Sequence, residues 1–507
     1  MASIDVDKKV NEVLSSRKYS NNITELFAVL QNSNDKSQLK CLKGLERIFT
    51  SFLERKEFHI DPNLKLADKK EWEVEVKYTK WLKETYEQTL KMCYKLLDSN
   101  KEEAEKISLE TLMKLSSTET EHPLQSIETK DTEVKSVFPE HTLEQILKII
   151  ISKNDRKENL IKNFETFVKY KDVYFYTWKT LRKTLPNTQE SGDTLMLNIL
   201  DLIEKIPIPN SNGKKNTEDS DCGTLCKTKD GKEFIINIPQ VHKFVAKVWQ
   251  NLIKRKITDV VYRKLMVILL EKFLPNMEKP IFFTDFFMAS SGMKGANALL
   301  AMQGILTLVQ KHNIEYPDIY GKLYTMFEPN IFHTKYKSRL FYLADIFLSS
   351  THLPENLVAS FAKRVSRLCL NAQIPDIVIS IRFVENLLRR HPGLKKMIHH
   401  PEIGHVAEDP FLPDERDPMK TKAIESCLWE ISLLKDHVQP SVSSIANFID
   451  KSLPEIEFNL KEVLDLTYDE IFKSESRKKV KACLSVSRPQ KIAKLSDDRV
   501  YKMWALT

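Results

Sequence analysis

The sequence predicts an all-α fold, a HEAT- or armadillo-like helical array (an α-solenoid) with flexible loops and a basic C-terminal tail. Three observations carry that expectation. Apolar residues recur at steps of three and four through most of the 507 residues, the stripe of amphipathic helices. Glycine is scarce, at 11 residues, whereas strand-rich folds and nucleotide-binding loops depend on it for turns and close backbone approach. Between residues 142 and 390 helix follows helix with no credible strand between them, the pattern of stacked helix pairs, although no strict repeat period emerges.

Taken in order, residues 1–115 form an N-terminal helical region. Leu39, Leu42, Leu45, Ile48, Phe49, Phe52 and Leu53 make a stripe over 37–58, Trp72, Val76, Trp81 and Leu82 continue it over 71–97, and 102–115 is a third helix. Residues 116–141, rich in Ser, Thr, Glu and Pro, read as an exposed linker. Helical repeats occupy 142–205. Pro207, Pro209, Gly213, Gly223 and Gly231 then make 206–233 a mobile loop.

Residues 234–400 are the densest helical block. It opens with 239–254, where Val241, Phe244, Val245, Val248, Trp249 and Leu252 line one side. The nearly apolar 258–274 comes next and reads as central. Helices over 282–287, 297–311, 317–327, 336–349, 354–370 and 375–390 complete the block, begun by Pro or ended near Gly or Asn. Residues 401–420 are a Pro-rich acidic loop, 421–473 hold the last helices (423–435, 441–451, 460–472), and 474–507 form the basic tail.

The net charge of +8 is unevenly spread. Residues 334–400 hold 11 Lys or Arg against 4 Asp or Glu, 401–420 hold 2 against 6, and 474–507 hold 9 against 3. Two basic regions flank an acidic loop, and basic regions bind phosphate through counterion release or simply solvate helix faces. Seven scattered cysteines fit a reducing compartment better than a disulfide framework. No apolar leader is read at the N-terminus, and the longest uncharged apolar stretch, 296–309, is too short for a membrane span.

Chemistry is hard to find. Gly213, Gly231 and Gly321 precede Lys, but none sits in a phosphate-binding loop, and the run from Ser290 to Gly295 suits a helix-entry turn better than an anion loop. Cys222 and Cys226 lack a second pair at zinc spacing, with His242 the nearest extra ligand. His399, His400 and His405 cluster in a turn. No catalytic residue, cofactor, metal or small-molecule substrate is expected.

One block is more particular. It includes Phe347-Leu348-Ser349-Ser350 with Leu353-Pro354, then Ala359, Phe361-Ala362-Lys363-Arg364, and Asn386-Leu387-Leu388-Arg389-Arg390-His391-Pro392. This resembles the central block of the CCAAT-binding-factor (CBF) family of nucleolar complex proteins. Asp409-Pro410, Asp417-Pro418, Ser426-Cys427-Leu428-Trp429-Glu430 and Leu466-Thr467-Tyr468-Asp469-Glu470-Ile471-Phe472 are similar to the four-type branch of that family. The resemblance is strong over 316–472, weaker over 234–315 and hardly readable before Val137.

It implies a non-enzymatic nucleolar scaffold of the small-subunit processome. Such a protein acts in pre-18S RNA processing and in assembly and export of the small ribosomal subunit, paired with nucleolar protein fourteen among other processome components. Direct contact with pre-ribosomal RNA is the alternative; a transcription factor has only the family's historical name behind it. Lys335, Lys337, Arg339, Lys363, Arg364, Arg367, Arg389 and Arg390 are the candidate RNA or partner contacts. Lys363 and Arg367 share a helix face that calls for an anion. Trp429 is the candidate aromatic anchor, if it is not core.

Overall fold

The computed structural model of the chain describes residues 6–478 apart from 33–34, 60–68, 125–137, 186–191, 209–222, 227–233, 235, 278, 294, 313, 315, 317, 400–408 and 454–455. Among the described residues there is no β-strand, and no helix is long and apolar enough to cross a membrane. The chain divides into two compact units, Met1–Tyr316 and Pro317–Thr507.

The first unit holds α1 (Val6–Ser15), α2 (Asn22–Asn32), α3 (Asp35–Glu54), α4 (Lys69–Leu97), α5 (Glu102–Glu121), α6 (Glu140–Ile150), α7 (Glu158–Val168), α8 (Lys171–Thr184), α9 (Asp193–Lys205), α10 (Ile238–Ile253), α11 (Asp259–Ile268), α12 (Thr284–Ser291) and α13 (Ala296–His312). From α3 onward most helices pack on the next but one. α3, α5, α7, α9, α11 and α13 touch in succession, and so do α4, α6, α8 and α10. Two layers of helices, each supported by near neighbours in sequence, are what a solenoid is.

The layers join where the apolar stripes of the sequence point inward. Trp178 of α8 and Trp249 of α10 are fully buried against Phe273, with ring centroids 6.0 and 4.8 Å from it. Phe273 lies on a π-helical turn, Leu269–Phe273, that continues α11. α12 and α13 approach closely because residue 304 is glycine: a Cβ there would sit 2.5–2.8 Å from the Phe287 ring.

Two sequence expectations change here. Residues 116–121 belong to α5 rather than to a linker, with Ser116 and Thr120 buried and the Thr120 hydroxyl donating to the Ser116 carbonyl at 2.8 Å. Such back-bonding lets Ser and Thr sit in a helix that a polar composition argues against. The loop expected over 206–233 is also pinned in part. The Leu225 and Cys226 amides donate to the two carboxylate oxygens of buried Asp172 at 3.1 and 2.7 Å, and Ser117 donates to the Leu225 carbonyl. Cys226 is buried there, its thiol pushed up to about 12 by burial, while Cys222 lies outside the described residues.

The second unit contains α14 (Ile319–Thr325), α15 (Lys337–Phe347), α16 (Glu355–Cys369), α17 (Ile374–Arg390), α18 (Trp429–Leu434), α19 (Pro440–Ala446) and α20 (Tyr468–Arg477). α17 is its centre. It is buried on every side from Ile377 to Leu388 save at Arg382, and α16, α19 and α20 pack around it. Phe327, Phe341, Phe361 and Phe383 interlock edge-to-face beside it, with centroids 5.5–6.0 Å apart. The helix expected over 423–435 is broken into a short turn, Ala423–Glu425, and α18. That over 460–472 is also interrupted, because Thr467 caps α20 with Glu470 in a capping box. Where the sequence suggests a tail from 474, α20 runs on to Arg477, and 479–507 lie outside the described residues.

Candidate functional site

The segments that carry the family resemblance converge on one side chain. Lys363 lies on α16, which buries Val358, Ala359, Phe361, Ala362 and Val365, and it has no accessible side-chain surface. Its ammonium lies 2.7 and 3.0 Å from the two carboxylate oxygens of Glu430, 2.9 Å from Asp409 and 2.7 Å from the Cys427 carbonyl. The Trp429 ring closes the remaining side, 5.4 Å from Nζ to its centroid. The helix breaks before α18 at Ser426, whose extended backbone (φ −94°, ψ 171°) leaves the Cys427 carbonyl to accept from Lys363.

Asp409 is shared further. It accepts from Ser426 at 2.6 Å, from the Trp429 indole at 3.0 Å and from the Phe411 amide at 3.1 Å, with Arg367 at 3.8 Å. Partial burial works to raise its carboxyl, but the hydrogen bonds from Ser426, Trp429 and Lys363 outweigh this and hold it well below the usual carboxylate range. Glu430 goes the other way, pushed up by burial despite Lys363.

Lys363 therefore departs from the surface role expected of it: the anion that its helix face calls for is supplied by this chain. The end of α17 repeats the theme. Arg390 forks onto Asp345 at 2.8 and 3.3 Å and reaches Glu457 at 3.0 Å. Burial lowers its pKa, but these two carboxylates outweigh that and raise it. Asn386 exchanges two hydrogen bonds with the Phe458 backbone, and the His391 ring meets the Leu348 carbonyl at 3.2 Å.

Lys337 pairs with buried Asp376 at 2.6 Å. Arg364 donates to the Phe327 carbonyl and lies 4.5 Å over the Tyr324 ring. Arg389 is half-buried, beside Glu457. Only Lys335, Arg339 and Arg367 of the eight expected cations are exposed. Trp429 is 40% exposed, so it is at once a wall of the Lys363 site and part of the surface. Leu433, one turn on, shares its face of α18 and is 60% exposed; Tyr468 and Phe472 make a similar outward pair on α20.

Asp409 and Glu430 stand in motifs of the resemblance, but nothing in those motifs marks them as counter-ions, and Asp345 and Glu457 carry no signature of their role. No spacing rule links them to their cations, which are 45–67 residues away. The acids that face Lys363 and Arg390 come from the same chain, so each pairing braces a loop or segment onto α16 or α17.

A family model described as the CBF/Mak21 family matches residues 298–446, which hold Lys363 and both its counter-ions. A second, described as Nucleolar complex protein 4-like, TPR repeats, matches residues 6–191 and so covers the region where no motif is readable by eye. Among curated proteins, the chain is 32% identical to Nucleolar complex protein 4 homolog B of Xenopus laevis, over 94% of this chain and 91% of that one. It is 32% identical to Nucleolar complex protein 4 homolog of Gallus gallus, over 94% of both, and 30% identical to that of Homo sapiens, over 93% of this chain and 91% of the relative.

Proposed function

The chain belongs to the nucleolar complex protein 4 family, and on that premise we propose that it is a non-enzymatic scaffold for ribosome assembly in the nucleolus. More narrowly, it is a subunit of the small-subunit processome, acting in pre-18S RNA processing and small-subunit export as a heterodimer with nucleolar protein fourteen. The observation that supports a scaffold is the fate of the family motifs. The charged residues that the CBF segments supply are used to lock loop 409–430 and segment 456–458 onto α16 and α17. A rigid frame of that kind holds surfaces in fixed relation, which is what an assembly factor needs.

The surfaces on offer for a protein partner are the outward apolar pairs Trp429 with Leu433 and Tyr468 with Phe472. Large aromatics rimmed by polar groups are the usual anchors of an interface. The test is an affinity capture of the tagged full chain from nuclear extract, with and without RNase, read by mass spectrometry. One large partner retained after RNase, with small-subunit precursors released, is the expected result. A capture without pre-small-subunit components in either sample sinks the reading.

A further inference from the structure

Residues 236–258 contain five Lys or Arg and no Asp or Glu. The helix within them, α10, buries Val241, Val245, Val248, Trp249 and Leu252 and turns Gln240, Lys243, Lys247, Gln250 and Lys254 outward as one exposed stripe. α8 packs beside it in the same layer and presents Phe175, Tyr176, Lys179, Arg182 and Lys183. The Arg182 guanidinium lies 5.5 Å from the Phe244 ring centroid, which sets the end of α8 against the start of α10.

Rings gather at the same place. Phe175 meets Phe234 at 5.5 Å and Phe244 at 5.9 Å, and Tyr176 meets Phe234 at 5.9 Å and stacks on Phe138 at 4.5 Å. Phe138 is buried, but the other four remain partly exposed. Among the described residues, the carboxylates of α6 and α8 are already engaged. Glu140 is taken by Lys179 and Lys183, Glu144 pairs with Lys148, and Asp172 is buried under three backbone amides. Arg182, Lys243, Lys247 and Lys254 have no carboxylate partner among the described residues. The groove of about 420 Å³ at α7 and α9 differs: its Arg156, Lys205 and Lys264 are each matched by Glu158, Glu165 or Asp201.

We propose that the α8–α10 face binds single-stranded RNA, bases stacking on the partly exposed rings and phosphates meeting Arg182, Lys243 and Lys247. Unmatched cations beside half-exposed rings are the combination that holds a single strand, because every base has a stacking face and the backbone supplies the charge. A duplex hides its bases from such rings. The cations alone would suit an acidic protein; the rings decide for a nucleic acid. This inference rests on the assembly reading only in naming RNA over DNA. The two fail separately, since the first is tested by capture from extract and this one with purified chain.

The experiment is fluorescence anisotropy of the purified full chain with a labelled oligouridine of about 12 nucleotides, a length within the usual single-strand site sizes, across a salt series. The matching deoxy strand, a duplex of equal charge and polyglutamate serve as competitors. Arg182→Gln/Lys243→Gln/Lys247→Gln, all exposed or partly exposed changes, should weaken binding at least about tenfold and lower the salt slope by about 2, at ~0.7 per phosphate contact. Phe244→Leu, which keeps an apolar side chain but loses the stacking surface, should weaken it several-fold with the slope unchanged.

Circular dichroism melts establish that each variant is folded. Lys335→Gln/Arg339→Gln should bind as the unmodified chain does. No binding at low salt, binding untouched by the triple variant, or competition by duplex or polyglutamate equal to that by the RNA overturns the assignment. Stronger competition by the deoxy strand overturns the choice of RNA.

Discussion

A lysine with no accessible surface is tolerable only while its counter-charges stay in place, and Lys363 is held to that condition. Its removal strands Glu430 as a buried, unpaired acid, and breaking buried pairs in this way costs about 3–5 kcal/mol. Lys363→Met should lower stability by that order in urea unfolding, and Lys363→Met/Glu430→Leu should recover much of it by taking away both charges. Asp409 sets a pH dependence. Its folded value lies below its ordinary 3.8, so its contribution is complete above that value and is lost as pH falls through it toward the folded one. Asp409→Asn should therefore flatten the acid limb of a melting-temperature profile below about pH 4. Comparison with the unmodified chain separates Asp409 from Glu430, whose raised carboxyl contributes with the opposite sign.

Among elements, the short segment held by Asp172 makes the sharpest prediction. Its two amide bonds and the Ser117 contact keep Cys226 buried, and a thiol pushed up to about 12 reacts slowly. Asp172→Ala should raise the alkylation rate of Cys226 at least about tenfold, measured by peptide mass spectrometry, and should expose residues 223–226 to protease. An unchanged rate would mean that the segment is held by other contacts.

The same elements show what the sequence could say. Stripes at helical spacing place α3, α4, α10, α13, α16 and α17 closely, because an apolar face leaves a period that needs no partner to be read. The end of α5 escapes such a reading since its inward positions are Ser and Thr, which bury themselves by bonding to their own helix. Lys363 reads as surface because lysine almost always is, and its paired acids lie too far along the chain for any spacing to announce them. The α8–α10 face is signalled only by the acid-free run at 236–258; that its cations meet the rings of α8 depends on packing that no linear pattern contains.

For the molecule as a whole, the division of labour matches the two units. The first presents a basic aromatic face, and the second presents apolar pairs on a braced frame. Leu433→Glu with Phe472→Glu should leave the melting temperature within about 2 °C, as substitutions at exposed positions generally do. Captured partner should fall several-fold in the same variant, while oligouridine binding is unchanged. Loss of both together would mean that one surface serves both ligands.

The brace also constrains the order of events at the ribosome that makes this protein. The two carboxylates and the carbonyl that receive Lys363 all come after it, Asp409 first, then Cys427 and Glu430 at 64 and 67 residues. Synthesis proceeds at about 5–20 residues per second, so for several seconds α16 is complete while its ammonium has no internal counter-charge. During that interval the helix cannot close over its lysine, and a nascent chain halted there exposes the apolar side of α16. A product truncated before Asp409 should therefore keep that apolar side exposed, the kind of surface that invites aggregation.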